Sequence, residues 1–291
     1  MRVLSLFDGL SCGQIALNRI SIKPEVYYAA EVDKYAIKVT QANYPDTVQL
    51  GDVTQWREWN IDWSTIDLLI GGSPCQGFSF AGKQLAFDDP RSKLFFVYVD
   101  ILNHIKSVNP SVKFMLENVK MKKEFLAVIS EHLGVEPVFI NSALVSAQNR
   151  QRYYWCNWKV EQPEDRGIDA HAIFSGLPAS SNRNDNGERI VTIKDKYNTI
   201  VANYYKGCRA NSRPGVLRCK GLNGKSFDEL SKDDFSMLTP NQCEALQTVP
   251  DNYTNHVSNT QRYKMLGNGW TVDVIAHIFS QMRRTTVTPT I

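Results

Sequence analysis

Residues 3–17 read Val3-Leu4-Ser5-Leu6-Phe7-Asp8-Gly9-Leu10-Ser11-Cys12-Gly13-Gln14-Ile15-Ala16-Leu17, and the fold is decided there. The run 3–7 is aliphatic and strand-like, residues 12–20 have helical spacing, and glycines punctuate the join. A strand turning through glycine directly into a helix is the first half of a βαβ unit. Glycines at such a turn let a ligand approach the backbone, and the helix N-terminus favours an anion. The spacing is not GxGxxG, which the pyrophosphate of a dinucleotide calls for. A smaller anion, such as the carboxylate of an amino-acid-like cofactor, suits it better.

The same alternation continues outward. Residues 26–30, 67–70, 112–116 and 138–140 are strand-like, and 33–43, 94–105 and 122–132 have helical patterns. This predicts an α/β fold: a Rossmann-like, mostly parallel sheet with helices on both faces. Ligands on such sheets bind at the C-terminal strand ends. From about residue 161 the pattern gives way to Asn, Gly, Pro and Ser, then resumes at 240–246 and in a closing helix over 270–283. The shift predicts a second, small irregular domain at roughly 160–250.

The chain has 291 residues, 43% hydrophobic and 22% charged, which suits a folded protein with a sizeable core and excludes disorder, collagen and coiled coil. No apolar run approaches the roughly 20 residues of a membrane helix. The opening residues lack a signal peptide and read as a cytoplasmic start. Six scattered cysteines without CxxC or zinc-like His spacing indicate neither disulfides nor a structural metal. The net charge of +3 names no partner, but residues 183–225 hold ten Lys or Arg against three Asp or Glu. With Tyr197, Tyr204 and Tyr205 interleaved, that block suits a nucleic-acid surface, although charge alone equally describes a solvated basic loop.

Chemistry gathers at the predicted strand ends. Glu31 stands 22 positions after Gly9, where an acidic residue grips ribose hydroxyls, and Asp52 at the third strand end suits an adenine amino group. Together with the opening turn they point to a nucleoside cofactor without phosphates, a description that S-adenosyl-L-methionine meets. The fourth strand delivers Gly71-Gly72-Ser73-Pro74-Cys75-Gln76-Gly77-Phe78-Ser79, a rigid loop presenting a thiol at the ligand edge. Residues 80–90 suit a mobile lid. The fifth strand ends in Glu117-Asn118-Val119, and Gln148-Asn149-Arg150-Gln151-Arg152 follows. In an extended segment Arg150 and Arg152 point the same way and reach one site.

GGSPCQGFS, ENV, QNRQR and the opening FDGLSCG, in that order along nearly the whole chain, resemble the DNA (cytosine-5)-methyltransferase family. Leu238-Thr239-Pro240, Leu246-Gln247 and Pro250-Asp251-Asn252-Tyr253 resemble the family's segment after its recognition domain, and the stretch from Tyr263 to Val272 resembles its closing motif. The resemblance implies a class I methyltransferase fold and methyl transfer from S-adenosyl-L-methionine to C5 of a cytosine flipped out of double-stranded DNA. By resemblance Cys75 adds to C6 of the ring as a covalent catalyst, and Glu117 hydrogen-bonds the N3 and amino edge. Arg150 and Arg152 lie near O2 and the thiolate, stabilising developing negative charge. The implied cofactor residues are Phe7, Asp8, Gly9, Ser11, Cys12 and Gly13 at the methionine end, then Glu31 and Val32, Asp52 and Val53, with Pro74. Asn268, Gly269, Trp270 and Thr271 close the site. No metal is implied.

The implied organisation is a discontinuous catalytic domain, residues 1–160 and 252–291, around a target recognition domain at 161–251, in which Thr199-Ile200 resembles the family's threonine–aliphatic pair. A bacterial or phage cytoplasmic setting and a candidate cognate restriction endonuclease follow, with no membrane and no obligate protein partner. The chain departs from the family's usual pattern at Ser236 (often Arg), Gln242 (often Glu), Thr248-Val249 (usually Gly-Phe) and Gly269-Trp270-Thr271. The Trp version of the closing motif is similar to the family's de novo branch. Two alternatives carry the same motifs: a tRNA cytosine-5 methyltransferase, and a catalytically inactive DNA-binding homologue. The second usually lacks the nucleophile or the cofactor carboxylate, and both are present here. A short recognition segment predicts a short target site.

Overall fold

The computed structural model describes residues 1–73, 93–169, 182–183, 189–190, 196–206, 215–217 and 235–283. The chain divides into two compact units, Met1–Ile140 with Gln151–Gln162 and Ile275–Ile291, and Asn141–Arg150 with Pro163–Val274.

The first unit is built on β1 (Arg2–Leu6), β2 (Val26–Ala30), β3 (Val48–Gln49), β4 (Leu68–Gly71), β5 (Lys113–Val119), β6 (Pro137–Asn141) and, after the two-residue β7 (Gln148–Asn149), β8 (Gln151–Cys156). The sheet order is β3-β2-β1-β4-β5-β8-β6. Pairs from β3 through β5 are parallel, and β8 runs antiparallel to β5. The predicted mostly parallel α/β sheet is what forms. The connection order reverses between β1 and β4, so the crevice beyond their C-terminal ends is the natural ligand edge. Leu6, Gly71 and Leu116 are in register across β1, β4 and β5. The segments leaving β1 and β4, Phe7-Asp8-Gly9 and Gly72-Ser73, and the last residues of β5, Glu117-Asn118-Val119, therefore stand side by side.

Alternation along the strands sends side chains to two faces. Leu4, Leu6, Leu69, Phe114 and Leu116 join a buried cluster with Phe95, Tyr98, Ile101, Leu102 and Ile105 of α3 (Lys93–Val108) and Ile129 and Leu133 of α4 (Lys123–Leu133). The i, i+3, i+4, i+7 spacing of Phe95, Tyr98, Val99 and Leu102 makes one face of α3 apolar. Ile70 and Tyr27 point to the opposite face and meet α1 (Cys12–Arg19). A Cβ on Gly13 would lie 2.5 Å from Ile70 Cδ1 and 2.6 Å from Tyr27 Oη, so only glycine lets α1 press this close. Helices thus cover both faces, as expected. Asp33 caps α2 (Lys34–Asn43) by accepting from Tyr35 N, and Gly134, with φ 71°, ends α4.

The second unit contains β7 paired parallel with Tyr197–Asn198, an antiparallel pair Gly215–Leu217 with Phe235–Met237, α5 (Pro240–Leu246) and α6 (Asn259–Asn268). The unit boundary falls within α7 (Val272–Ser280). Thr239 and Gln242 form a reciprocal capping box at α5, so Gln serves where Glu is usual. Glu244, fully buried, accepts from Asn252 N, Thr254 N and Oγ1, and Arg262 Nη2, and closes α5 onto α6. Among the described residues no helix is long and apolar enough to cross a membrane, and no His, Cys, Asp and Glu group could hold a metal.

Candidate active site

The turn after β1 is unusual in its backbone. Phe7, Gly9 and Ser11 all have positive φ, at 58°, 59° and 64°. Only Gly9 adopts this without strain, and such strain persists where the surroundings over-determine it. Here the ties are visible. Gly9 N donates to Glu31 Oε2 at 2.8 Å, and Glu31 Oε1 accepts from Val32 N and Asp33 N, both at 2.8 Å. Three backbone donors thus fix the carboxylate that ends β2, bringing Gly9 and Glu31 together. The neighbouring Val32 side chain is 70% exposed, an apolar surface beside a fixed carboxylate.

Beneath the turn lies Asp8, 9% exposed. Its Oδ1 accepts from Tyr27 Oη at 2.8 Å, while Oδ2 has no hydrogen bond among the described residues, although the hydroxyls of Ser5 and Ser11 are close enough to act on its charge. Burial pushes its carboxyl up to about 6, against the lowering pull of those hydroxyls. Tyr27, buried and facing that carboxylate, is shifted well above the usual phenol range. A buried carboxylate oxygen without a donor calls for an explanation, and the chemistry of the set answers it. Asp8 suits an ammonium group, Glu31 vicinal hydroxyls, and Val32 the face of a flat ring. The residues present fit an amino-acid nucleoside.

The other expected residues of this unit divide. Ser11 precedes α1 and accepts from Gln14 Nε2 at 2.9 Å. Cys12 is a buried thiol. Gly13 has the packing reason given above. Asp52 does not end a strand: β3 stops at Gln49, and Asp52 caps the 3-10 turn Val53–Glu58, its Oδ1 accepting from Thr54 N and Oγ1 at 2.9 and 2.8 Å. Val53 is buried in that turn.

On β5 and β8 a second constellation stands. Glu117, Asn118 and Val119 are the last residues of β5, as expected, and Glu117 is diagonal to Arg152 across the antiparallel pair. Arg152 Nε lies 2.9 Å from Glu117 Oε1, an ion pair whose Nε–H is not in line for a hydrogen bond. Both side chains are nearly buried, at 13% and 11% exposure. Asn118 Nδ2 donates to Ser73 O and Oγ at 3.4 Å, tying the end of β5 to the segment that leaves β4. Pro74 and Cys75 follow Ser73 in the sequence and lie outside the described residues, as do the expected lid at 80–90 and most of the basic block.

In the second unit Arg150 is 3% exposed and donates to three backbone carbonyls: Nη1 to Ile200 O at 3.1 Å, and Nη2 to Gly267 O and Gly269 O at 3.2 and 2.8 Å. Arg150 and Arg152 share none of these partners. Arg150 lies between β7 and β8, where strand pairing passes from one sheet to another. Trp270 and Thr271 are buried, and Asn268 is exposed at the end of α6. Tyr27 carries no sequence signal, and Gln148 and Gln247 enter only as members of the QNRQR and Leu246-Gln247 stretches, without a role. Their polar partners lie far along the chain, and no spacing rule marks them.

The chain matches the family described as C-5 cytosine-specific DNA methylase over residues 1–166 and 138–284. It is 29% identical to the Type II methyltransferase M1.ScrFI of Lactococcus lactis subsp. cremoris, over 97% of this chain and 77% of that one. It is 28% identical to the Type II methyltransferase M.HhaI of Haemophilus parahaemolyticus, over 96% and 93%. The methyltransferase EhMeth of Entamoeba histolytica has the same fold, with TM-score 0.72, 17% identity and 99% of each chain covered. With family motifs, sheet order and relatives in agreement, the chain belongs to the C-5 cytosine-specific DNA methylase family.

Proposed function

We propose that this chain methylates C5 of a cytosine flipped out of duplex DNA at a short specific sequence, with S-adenosyl-L-methionine as the donor. The observation that carries the reading is the Glu117–Arg152 pair beside the strand edge from which Ser73 leads into Pro74-Cys75. S-Adenosyl-L-methionine supplies a methyl group on a positively charged sulfur, open to attack by a nucleophilic carbon. Asp8 would receive its ammonium, Glu31 its ribose hydroxyls, Val32, Asp52 and Val53 its adenine, and residues 268–271 would close over it.

C5 of cytosine is a poor nucleophile until a group adds at C6. The Cys75 thiolate forms the Sγ–C6 bond, moving the C5–C6 π electrons onto C5. Glu117, hydrogen-bonded to N3 and the exocyclic amine, makes the ring accept that addition more readily. Arg152, held against Glu117, stabilises negative charge on the ring and thiolate. As C5 bonds to the methyl carbon, the methyl–sulfur bond would break with its pair left on sulfur as a neutral thioether; a base then takes the C5 proton, the Sγ–C6 bond breaks, and Cys75 leaves as thiolate. The base must leave the stack for any of this. Residues 161–251, with the basic block 183–225 inside them, would contact phosphates and a few base edges, and residues 1–160 and 252–291 would form the catalytic domain. A bacterial or phage cytoplasm is the setting the bacterial relatives suggest. A cognate restriction endonuclease would read the same DNA sequence independently of this chain.

The test is a covalent trap. Duplex DNA carrying 5-fluorocytosine blocks loss of a C5 proton, so addition by Cys75 followed by methyl transfer leaves an adduct that survives denaturing electrophoresis. The wild type should form it only with S-adenosyl-L-methionine present, and Cys75→Ala should not form it at all. An adduct in Cys75→Ala would contradict the assigned nucleophile.

A further inference from the structure

We propose that Arg150 is a positioning residue which, together with Gln247, fixes residues 267–271, so that losing it weakens S-adenosyl-L-methionine binding before any DNA is present. The inference rests on the reading that this segment closes the cofactor site. Family resemblance places Arg150 near the reacting base, but the geometry within the second unit gives its guanidinium other work.

Gly269 O accepts from both Arg150 Nη2, at 2.8 Å, and Gln247 Nε2, at 3.2 Å. Gln247 is fully buried and its side chain is used at both ends. Nε2 also donates to Leu266 O at 2.7 Å, and Oε1 accepts from Thr271 Oγ1 at 2.9 Å and Gln148 Nε2 at 3.2 Å. Its backbone carbonyl takes Val272 N at 2.9 Å. Thr271 Oγ1 accepts in turn from Ser142 Oγ at 2.8 Å. Leu266, Gly267, Gly269, Thr271 and Val272 are therefore all held by this network, leaving Asn268 outward. The planar fork of Arg150 spans Ile200 O and the two glycine carbonyls, a task a lysine's point charge cannot reproduce. At the same place Gly267 lies against the Val201–Ala202 peptide, where a Cβ would sit 2.2 Å from Val201 C. Buried carbonyls that lose these donors are left unsatisfied, and the segment must rearrange.

The experiment measures S-adenosyl-L-methionine affinity by calorimetry without DNA, with a melting curve for every variant. Arg150→Met and Gln247→Met should each weaken binding roughly tenfold, and the double variant should add little, because the two hold one segment. Arg152→Met should bind within about twofold of wild type while its methyl transfer collapses. Thr254→Val, which disturbs the equally buried Glu244–Arg262 network, serves as the control. Should Arg150→Met fail to fold, Gln247→Met and the milder Ser142→Ala, expected at two- to threefold by loss of one hydrogen bond, decide the matter. Arg150→Met with wild-type affinity and lost transfer would return Arg150 to the reacting base. Equal weakening in Thr254→Val at the same melting loss would show general loosening and overturn the proposal. A wild type that binds no S-adenosyl-L-methionine rejects the proposed function, not this assignment alone.

Discussion

At the end of β1, the N–H groups of Gly9, Val32 and Asp33 converge on Glu31, and the longest of these ties spans 22 residues. At residues 267–271 the ties come from Gln247, across 22 and 24 residues, but also from Arg150, across 117 and 119, and from Ser142, across 129. The first region is backbone turned onto one carboxylate. The second is backbone held by side chains from distant parts of the chain. A local arrangement forms with the βα unit itself and resists side-chain change except at its one acceptor. A distributed one fails by degrees, since each donor carries part of the load.

The sharpest way to break the local half is Glu31→Ala. It should weaken S-adenosyl-L-methionine binding about a hundredfold by calorimetry, and cost about 1–2 kcal/mol in urea unfolding, because three N–H groups lose their acceptor in a site water only partly reaches. An unchanged affinity would mean that the turn does not face the ligand.

Asp8 tests whether the local half trades stability for binding. Its carboxyl is raised from 3.8 to about 6 by burial, so the folded chain holds this proton more tightly than the unfolded chain. Stability from this group is therefore full below about pH 4, falls as pH rises, and is lost above about pH 6, a change of about 3 kcal/mol. Asp8→Asn keeps an acceptor for Tyr27, removes the ionisation, and should flatten that pH dependence. At pH 8 it should melt higher than wild type yet bind S-adenosyl-L-methionine more weakly, having lost the charge facing the ammonium. Parallel pH profiles for the two proteins in thermal melts would contradict the buried-carboxylate account.

The smallest effect belongs to Thr248, which stands where the family usually has Gly. Its φ of 52° explains that usual Gly, and its hydroxyl accepts from Asp273 N at 2.9 Å in compensation. Thr248→Gly should relieve about 1 kcal/mol of strain and lose about as much at the start of α7, so its unfolding midpoint should barely move. A large loss would show the hydroxyl, which also donates to Gln247 O at 2.8 Å, to be a stronger anchor of the distributed half than two hydrogen bonds suggest.

What was legible in the sequence follows the same division. Hydrophobic period located β2 at Val26–Ala30 and α5 at Pro240–Leu246 to the residue, because their signals lie within one turn or one strand. The place of Asp52 in a 3-10 turn is not legible, because β3 is only two residues long, too short for its period to show where the strand stops. The end of β5 in Glu117-Asn118-Val119 is legible, but the partner of Glu117 is not, since a buried carboxylate gives no sign of it until the pairing across the sheet is known. Arg150 and Arg152 looked equivalent by alternation. Carbonyls about 50 and 120 residues away hold Arg150, while Glu117 across the sheet holds Arg152, and neither partner leaves a trace in local spacing.

The central claim is tested most directly by nucleoside mass spectrometry after incubating the protein with S-adenosyl-L-methionine, unmethylated duplex DNA and tRNA in one tube. The account predicts 5-methyldeoxycytidine in the DNA and no methylcytidine in the tRNA. Methylcytidine in tRNA alone, or neither product from a protein shown to bind S-adenosyl-L-methionine, would contradict it.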